Sequence, residues 1–146
     1  METILIRKLP GVANPTAVDL PASKSESNRA LVIDALCGGG SELFNLSEAR
    51  DTQIMHKLLM DDSQEVNARD AGTTMRFLTA YFAITSQKRI ITGTERMKER
   101  PIGILVDALR FIGAEIVYKE KDGFPPVETR GFSKQENSNI TIRGDI

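Results

Sequence analysis

A helix–strand–helix pattern spans Lys24–Met60 and recurs at Thr73–Gly113, displaced by roughly fifty residues. Alternating helices and strands predict a mixed α/β architecture. In the first copy, Ser23 and Glu26 have capping-box spacing, so a helix should run from about Lys24 to Leu36 and stop at Cys37-Gly38-Gly39-Gly40. Leu43–Leu46 reads as a strand. Thr52–Met60 reads as a second helix, with Ile54, Met55, Leu58 and Leu59 on one face. The polar stretch Asp61–Arg69 reads as a loop.

In the second copy, Asp70 is the expected N-cap of a third helix that runs through Ile84. Arg89–Thr92 reads as a strand. Pro101 suits the first position of a fourth helix and Gly113 its C-cap, with Ile102, Leu105, Val106, Leu109 and Ile112 as the apolar stripe. Ala114–Tyr118 and Val127–Arg130 then read as paired strands around a turn at Gly123–Pro126. Asn139–Arg143 reads as the start of one more strand, and Thr3–Leu9 and Val18–Leu20 as short strands near the N-terminus.

Two of these helix starts are unusual. One is Pro21-Ala22-Ser23-Lys24-Ser25-Glu26-Ser27-Asn28-Arg29; the other is Asp70-Ala71-Gly72-Thr73-Thr74-Met75-Arg76. A helix N-terminus carries unpaired N–H groups and a partial positive charge, and so binds oxyanions. Ser25 and Arg29 are four apart and share a helix face. Lys24 lies in the first turn, where a cation opposes the helix dipole, so an anion should offset it. Gly72 lets a ligand approach the backbone closely, and Thr73 adds a hydroxyl. Arg100 precedes Pro101, which holds it extended just outside a helix start. Its guanidinium can grip a carboxylate or phosphate with two parallel bonds. Two such ends suggest a small substrate with more than one anionic group. Each segment also has a plainer reading: Arg29 paired with Glu26 or Asp19, an Asp-capped helix at Asp70, and a solvated charge run at Glu95–Pro101.

Charge and composition narrow the alternatives. Nineteen basic residues against 20 acidic ones argue against a broad nucleic-acid surface, which needs a clustered basic excess. Trp is absent and aromatics are sparse, which argues against base-stacking platforms. Cys37 is the only cysteine, so no intramolecular disulfide forms. Cys37 and His56 alone cannot build a structural zinc site. His56 is expected to pack rather than catalyse, and Asp61-Asp62 to sit in a solvated loop. No leader opens the chain and no apolar run approaches membrane-spanning length, so a cytoplasmic protein is expected.

Three segments in order resemble the 5-enolpyruvylshikimate-3-phosphate synthase family: Pro21–Leu31, Ala71–Arg76 and Arg96-Met97-Lys98-Glu99-Arg100-Pro101-Ile102-Gly103. The resemblance implies transfer of the enolpyruvyl group of phosphoenolpyruvate to the 5-hydroxyl of shikimate 3-phosphate, a step of chorismate and aromatic amino acid biosynthesis. It implies two lobes of repeated βαβαββ units and no metal or organic cofactor. Lys24 matches a lysine touching both substrates, and Ser25 and Arg29 match groups that hold shikimate 3-phosphate. Gly72, Thr73 and Arg100 match the phosphoenolpyruvate site.

The resemblance covers about the first third of such an enzyme. Residues 1–19 then belong to the second lobe, and 20–146 form a partial N-terminal lobe of about two repeat units plus the start of a third. The family's Ser-Ser-Gln motif, and the second-lobe Asp, Glu and Lys proposed for proton transfer, have no counterpart here. Transfer by residues 1–146 alone is therefore not expected, and the partners are the two anionic substrates, the C-terminal lobe and, through unpaired strands, a second copy of the chain. Asp70 departs from the Asn of many members, and the Met60–Asp70 connection is shorter than in many. A related UDP-N-acetylglucosamine enolpyruvyl transferase and a stand-alone anion-binding module are the alternatives.

Overall fold

The computed structural model describes residues 20–132, 134–135 and 137–142. Helix α1 (Lys24–Leu36) starts where the cap spacing places it: the Ser23 hydroxyl accepts from the Glu26 N–H at 3.3 Å. It stops at Cys37, and Gly38, Gly39 and Gly40 follow at positive φ, a backbone only glycine adopts freely. Next come α2 (Arg50–Leu59), β1 (Glu65–Asn67), α3 (Gly72–Ile84), β2 (Arg89–Thr92), α4 (Glu95–Lys98), α5 (Gly103–Phe111), β3 (Ala114–Tyr118) and β4 (Val127–Phe132). Gly113 follows α5 at φ +114°, the left-handed position that ends a helix.

The strands form one sheet in the order β1-β2-β4-β3. β1 and β2 are parallel, joined by a crossover through α3, and the remaining neighbours are antiparallel. Glu65–Phe132 is thus one complete βαβαββ unit with the short α4 inserted ahead of α5. The first copy of the expected repeat supplies α1 and α2, with no strand among its described residues.

Five expectations need correction. Leu43–Leu46 is not a strand: Asn45 at φ +52° breaks the extended run, and Leu43 and Leu46 pack against the core instead. Asp61–Arg69 is not all loop. Val66, 1% exposed, pairs with Ile91 and makes β1, a three-residue strand too short to show alternation. Asp70 does not cap α3; Ala71 occupies that position. Pro101 is not in the first turn of α5, because Ile102 donates its N–H to the Gly123 carbonyl at 2.9 Å and takes the N-cap position. Asn139–Ile142 forms no strand, and Arg143 lies outside the described residues, as do Thr3–Leu9 and Val18–Asp19.

α3 organises the core. Its Met75, Leu78 and Phe82 are fully buried, and it contacts α1, α2, α5 and strands β2, β3 and β4. Leu31, Met55 and Leu58 close one side, and Val106, Ile116 and Val127 belong to the same cluster. Gly93, just after β2, is a close-approach point: a Cβ there would lie 2.6 Å from the Arg69 carbonyl oxygen and from Met97 Cβ. Gly93→Ala must move backbone or the buried Met97, and should cost about 1–3 kcal/mol in urea unfolding. A change within about 0.5 kcal/mol, as at an ordinary surface site, would contradict that packing.

Glu128 on β4 has a buried carboxylate held by Arg130 at 3.2 Å, Lys119 at 3.3 Å and Lys88 at 3.8 Å. The hydrogen bond from Arg130 leads in holding its carboxyl below the ordinary 4.5, with Lys119 helping and burial opposing. A carboxylate whose folded pKa is depressed adds stability above its unfolded pKa and loses it as pH falls through the folded one. Glu128→Gln should therefore flatten the fall in stability below pH 4.5. Asp34 and Asp61, also lowered by hydrogen bonds from Ser41 and Ser63, keep their share. Parallel acid limbs for the two proteins would refute a lowered Glu128.

Candidate active site

Three helices start at the same end of the molecule, and the predicted residues gather there. On α1, Arg29 folds back along its own helix: Nη1 donates to the Ser25 carbonyl at 2.9 Å and also contacts the Ser25 hydroxyl. The expected one-face pairing of Ser25 and Arg29 is present, on an exposed surface. Arg29 makes no hydrogen bond to Glu26, and the expected alternative partner Asp19 lies outside the described residues. Lys24 reaches across to α2, where its Nζ lies 3.1 Å from Asp51 Oδ2.

Asp51 leads to the second motif. Its carbonyl accepts from the Oγ1 of fully buried Thr74 at 3.1 Å, and Thr74 lies in the first turn of α3 beside Gly72 and Thr73. Gly72 is buried and Thr73 half-buried. The third motif closes over the same spot. A Cβ on Gly72 would lie 2.5 Å from Arg100 Nη1 and 2.8 Å from its Cζ. The Arg100 guanidinium thus fills the space that a side chain at residue 72 would take. Gly72 and Arg100, 28 positions apart, form a single feature.

Sequence reasoning left Arg76 out of the site. Its Nη1 donates to the Gly72 carbonyl at 3.1 Å and its Nη2 to the Pro101 carbonyl at 2.9 Å, so it staples the α3 start to the segment carrying Arg100. Burial first, and the neighbouring Arg100 charge second, lower its pKa. Two guanidinium groups this close repel, and an anion relieves that repulsion. The available signal was spacing: Arg76 is four residues after Gly72, so its side chain returns along the first turn of the same helix.

Asp70 takes a different role from the one expected. Its Oδ1 accepts from the Thr94 hydroxyl, so the carboxylate turns away from the α3 N–H groups. It lines a cleft of about 400 Å³ with Arg96, Met97 and Arg100. A larger groove, about 750 Å³, lies at the opposite, C-terminal ends of α1 and α2, among Leu31, Asp34, His56, Leu59 and Tyr81. It holds none of the predicted anion-binding residues, and His56 on its rim is exposed rather than packed as expected. Cys37 is exposed. Among the described residues, no group of three His, Cys, Asp or Glu side chains could hold a metal ion, and no helix is long and apolar enough to cross a membrane.

The sequence profile of the family described as EPSP synthase (3-phosphoshikimate 1-carboxyvinyltransferase) matches residues 57–146, which include Gly72, Thr73 and Arg100. A 3-phosphoshikimate 1-carboxyvinyltransferase from Bacteroides fragilis (strain YCH46) is 50% identical over 129 residues, covering 88% of this chain and 31% of the relative. One from Burkholderia multivorans is 38% identical over 152 residues, covering 88% of this chain and 35% of the relative. An EPSP synthase structure from Acinetobacter baumannii superposes with a TM-score of 0.72 at 18% identity, over 84% of this chain and 34% of that one, which shows a shared fold. The chain spans about a third of the length of the curated relatives it matches.

Proposed function

This chain belongs to the EPSP synthase family, and from that premise we propose that it forms the N-terminal part of the substrate cleft of a 3-phosphoshikimate 1-carboxyvinyltransferase. The reaction moves the enolpyruvyl group of phosphoenolpyruvate onto the 5-hydroxyl of shikimate 3-phosphate and releases phosphate. In this reading the reaction is cytoplasmic and uses no metal or organic cofactor. In the same reading the second lobe brings the proton-transfer groups.

The work of this chain is charge neutralisation and orientation. Arg100 and the α3 start at Gly72-Thr73 hold phosphoenolpyruvate. Ser25 and Arg29 hold shikimate 3-phosphate. Lys24, at the start of α1 and paired with Asp51 of α2, touches both. The single observation that carries this reading is the Arg100 guanidinium lying against Gly72 at the start of α3. There a planar cation and a helix N-terminus can share one oxyanion. Donors fixed before the substrate arrives need little rearrangement when negative charge moves toward the leaving phosphate.

The test is a chimera. The third of the Bacteroides fragilis relative that matches this chain is replaced by this chain, and phosphate release is followed. Release that requires both substrates is the expected result. A folded chimera that binds neither anion and releases no phosphate would overturn the reading.

A further inference from the structure

Lys24 stands where a helix normally disfavours a cation, on a long flexible stem. On its own helix, Ser27 and Asn28 occupy the positions three and four residues on, and neither is acidic. The ammonium instead meets Asp51, 27 residues away on α2, at 3.1 Å. Asp51 is itself anchored, because buried Thr74 of α3 donates to its carbonyl. The Lys24 side chain is 51% exposed and that of Asp51 29%, and an ion pair in such a place adds little to stability. Its main effect is on where the ammonium spends its time. A lysine ammonium has three N–H donors; Asp51 engages one and leaves two for a ligand.

We propose that Asp51 is a positioning residue for anion binding. Its carboxylate, fixed through Thr74 to the start of α3, holds the Lys24 ammonium at the convergence of α1, α2 and α3. This rests on the substrate reading given above. The ordering of Lys24 is done before the ligand arrives, and that preorganisation shows as affinity.

Competitive lysine acylation of the chimera that carries this chain, read by peptide mass spectrometry, tests this with and without shikimate 3-phosphate plus phosphoenolpyruvate. Asp51→Asn should raise the rate at Lys24 about fivefold while other lysines keep theirs, and Asp51→Glu should restore it. The ligand concentration that half-protects Lys24 should rise at least about threefold in Asp51→Asn and return in Asp51→Glu. If Asp51→Asn loosens the whole fold, every lysine accelerates; Thr74→Val, which keeps the carboxylate, then decides by raising the Lys24 rate alone. An unchanged Lys24 rate, or an unchanged protection midpoint, overturns the positioning role and leaves the substrate reading standing. No protection of Lys24 in the chimera without further substitution overturns both.

Discussion

Arg100→Lys, placed in the chimera, should cost roughly 2–4 kcal/mol of transition-state stabilisation, read as kcat/KM for phosphoenolpyruvate. Lysine keeps the charge and loses the planar fork. Gly72→Ala should produce a defect of the same kind without touching Arg100, since the new Cβ would lie 2.5 Å from Nη1 and displace the guanidinium. The thermal midpoint should hardly move in either variant. The displaced group is the tip of an exposed, flexible side chain, not packed backbone. Arg29→Ala, on the first helix, should weaken shikimate 3-phosphate most. Steady-state kinetics with each substrate varied in turn separates the two arginines, and equal impairment toward both substrates would refute their separate roles.

Phe82→Ala should cost about 3–5 kcal/mol of folding free energy. The side chain is 1% exposed, its ring centroid lies 5.5 Å from that of Tyr81, and the Arg89 guanidinium carbon sits 5.5 Å above it. Truncation leaves a cavity where α3 meets the sheet and removes the surface on which Arg89 of β2 rests. Total stability for a domain of this size is about 5–15 kcal/mol, so the variant should be close to unfolding at physiological temperature. Urea denaturation measures it. A loss below about 1.5 kcal/mol would mean that the core closes over the gap.

Periodicity and caps made α1, α3, β2, β3 and most of α5 legible, because each carries its own local signal: the Ser23 hydroxyl, the glycines after Leu36, the apolar stripe before Gly113. β1 was not legible. Its one inward residue, Val66, is recruited by pairing with β2, a tertiary event that leaves no pattern in three residues. Leu43–Leu46 erred in the other direction: strand-prone residues follow a different path when Asn45 turns left-handed and the apolar side chains find the core without a ladder. Asp70 shows the same competition at a cap, since the Thr94 hydroxyl claims the carboxylate that sequence assigns to α3.

The site was legible as three motifs, but not as one place. Spacing explains Ser25 with Arg29, which are a helix turn apart. It cannot show that Arg100 lies on Gly72, or that Asp51 and Thr74 join Lys24 to α3, because those contacts bridge 28, 27 and 23 residues. Arg76 was visible in the motif, yet its two carbonyl partners emerge only when Pro101 is brought beside the α3 start.

The most direct measurement is a crystal structure of the chimera with shikimate 3-phosphate and inorganic phosphate, a pair that cannot turn over. The shikimate phosphate should lie on Ser25 and Arg29. Inorganic phosphate should lie between Lys24 and the Arg100 guanidinium at the N-terminus of α3, over Gly72. Inorganic phosphate bound elsewhere, with Arg100 and Lys24 both turned to solvent, would contradict this placement.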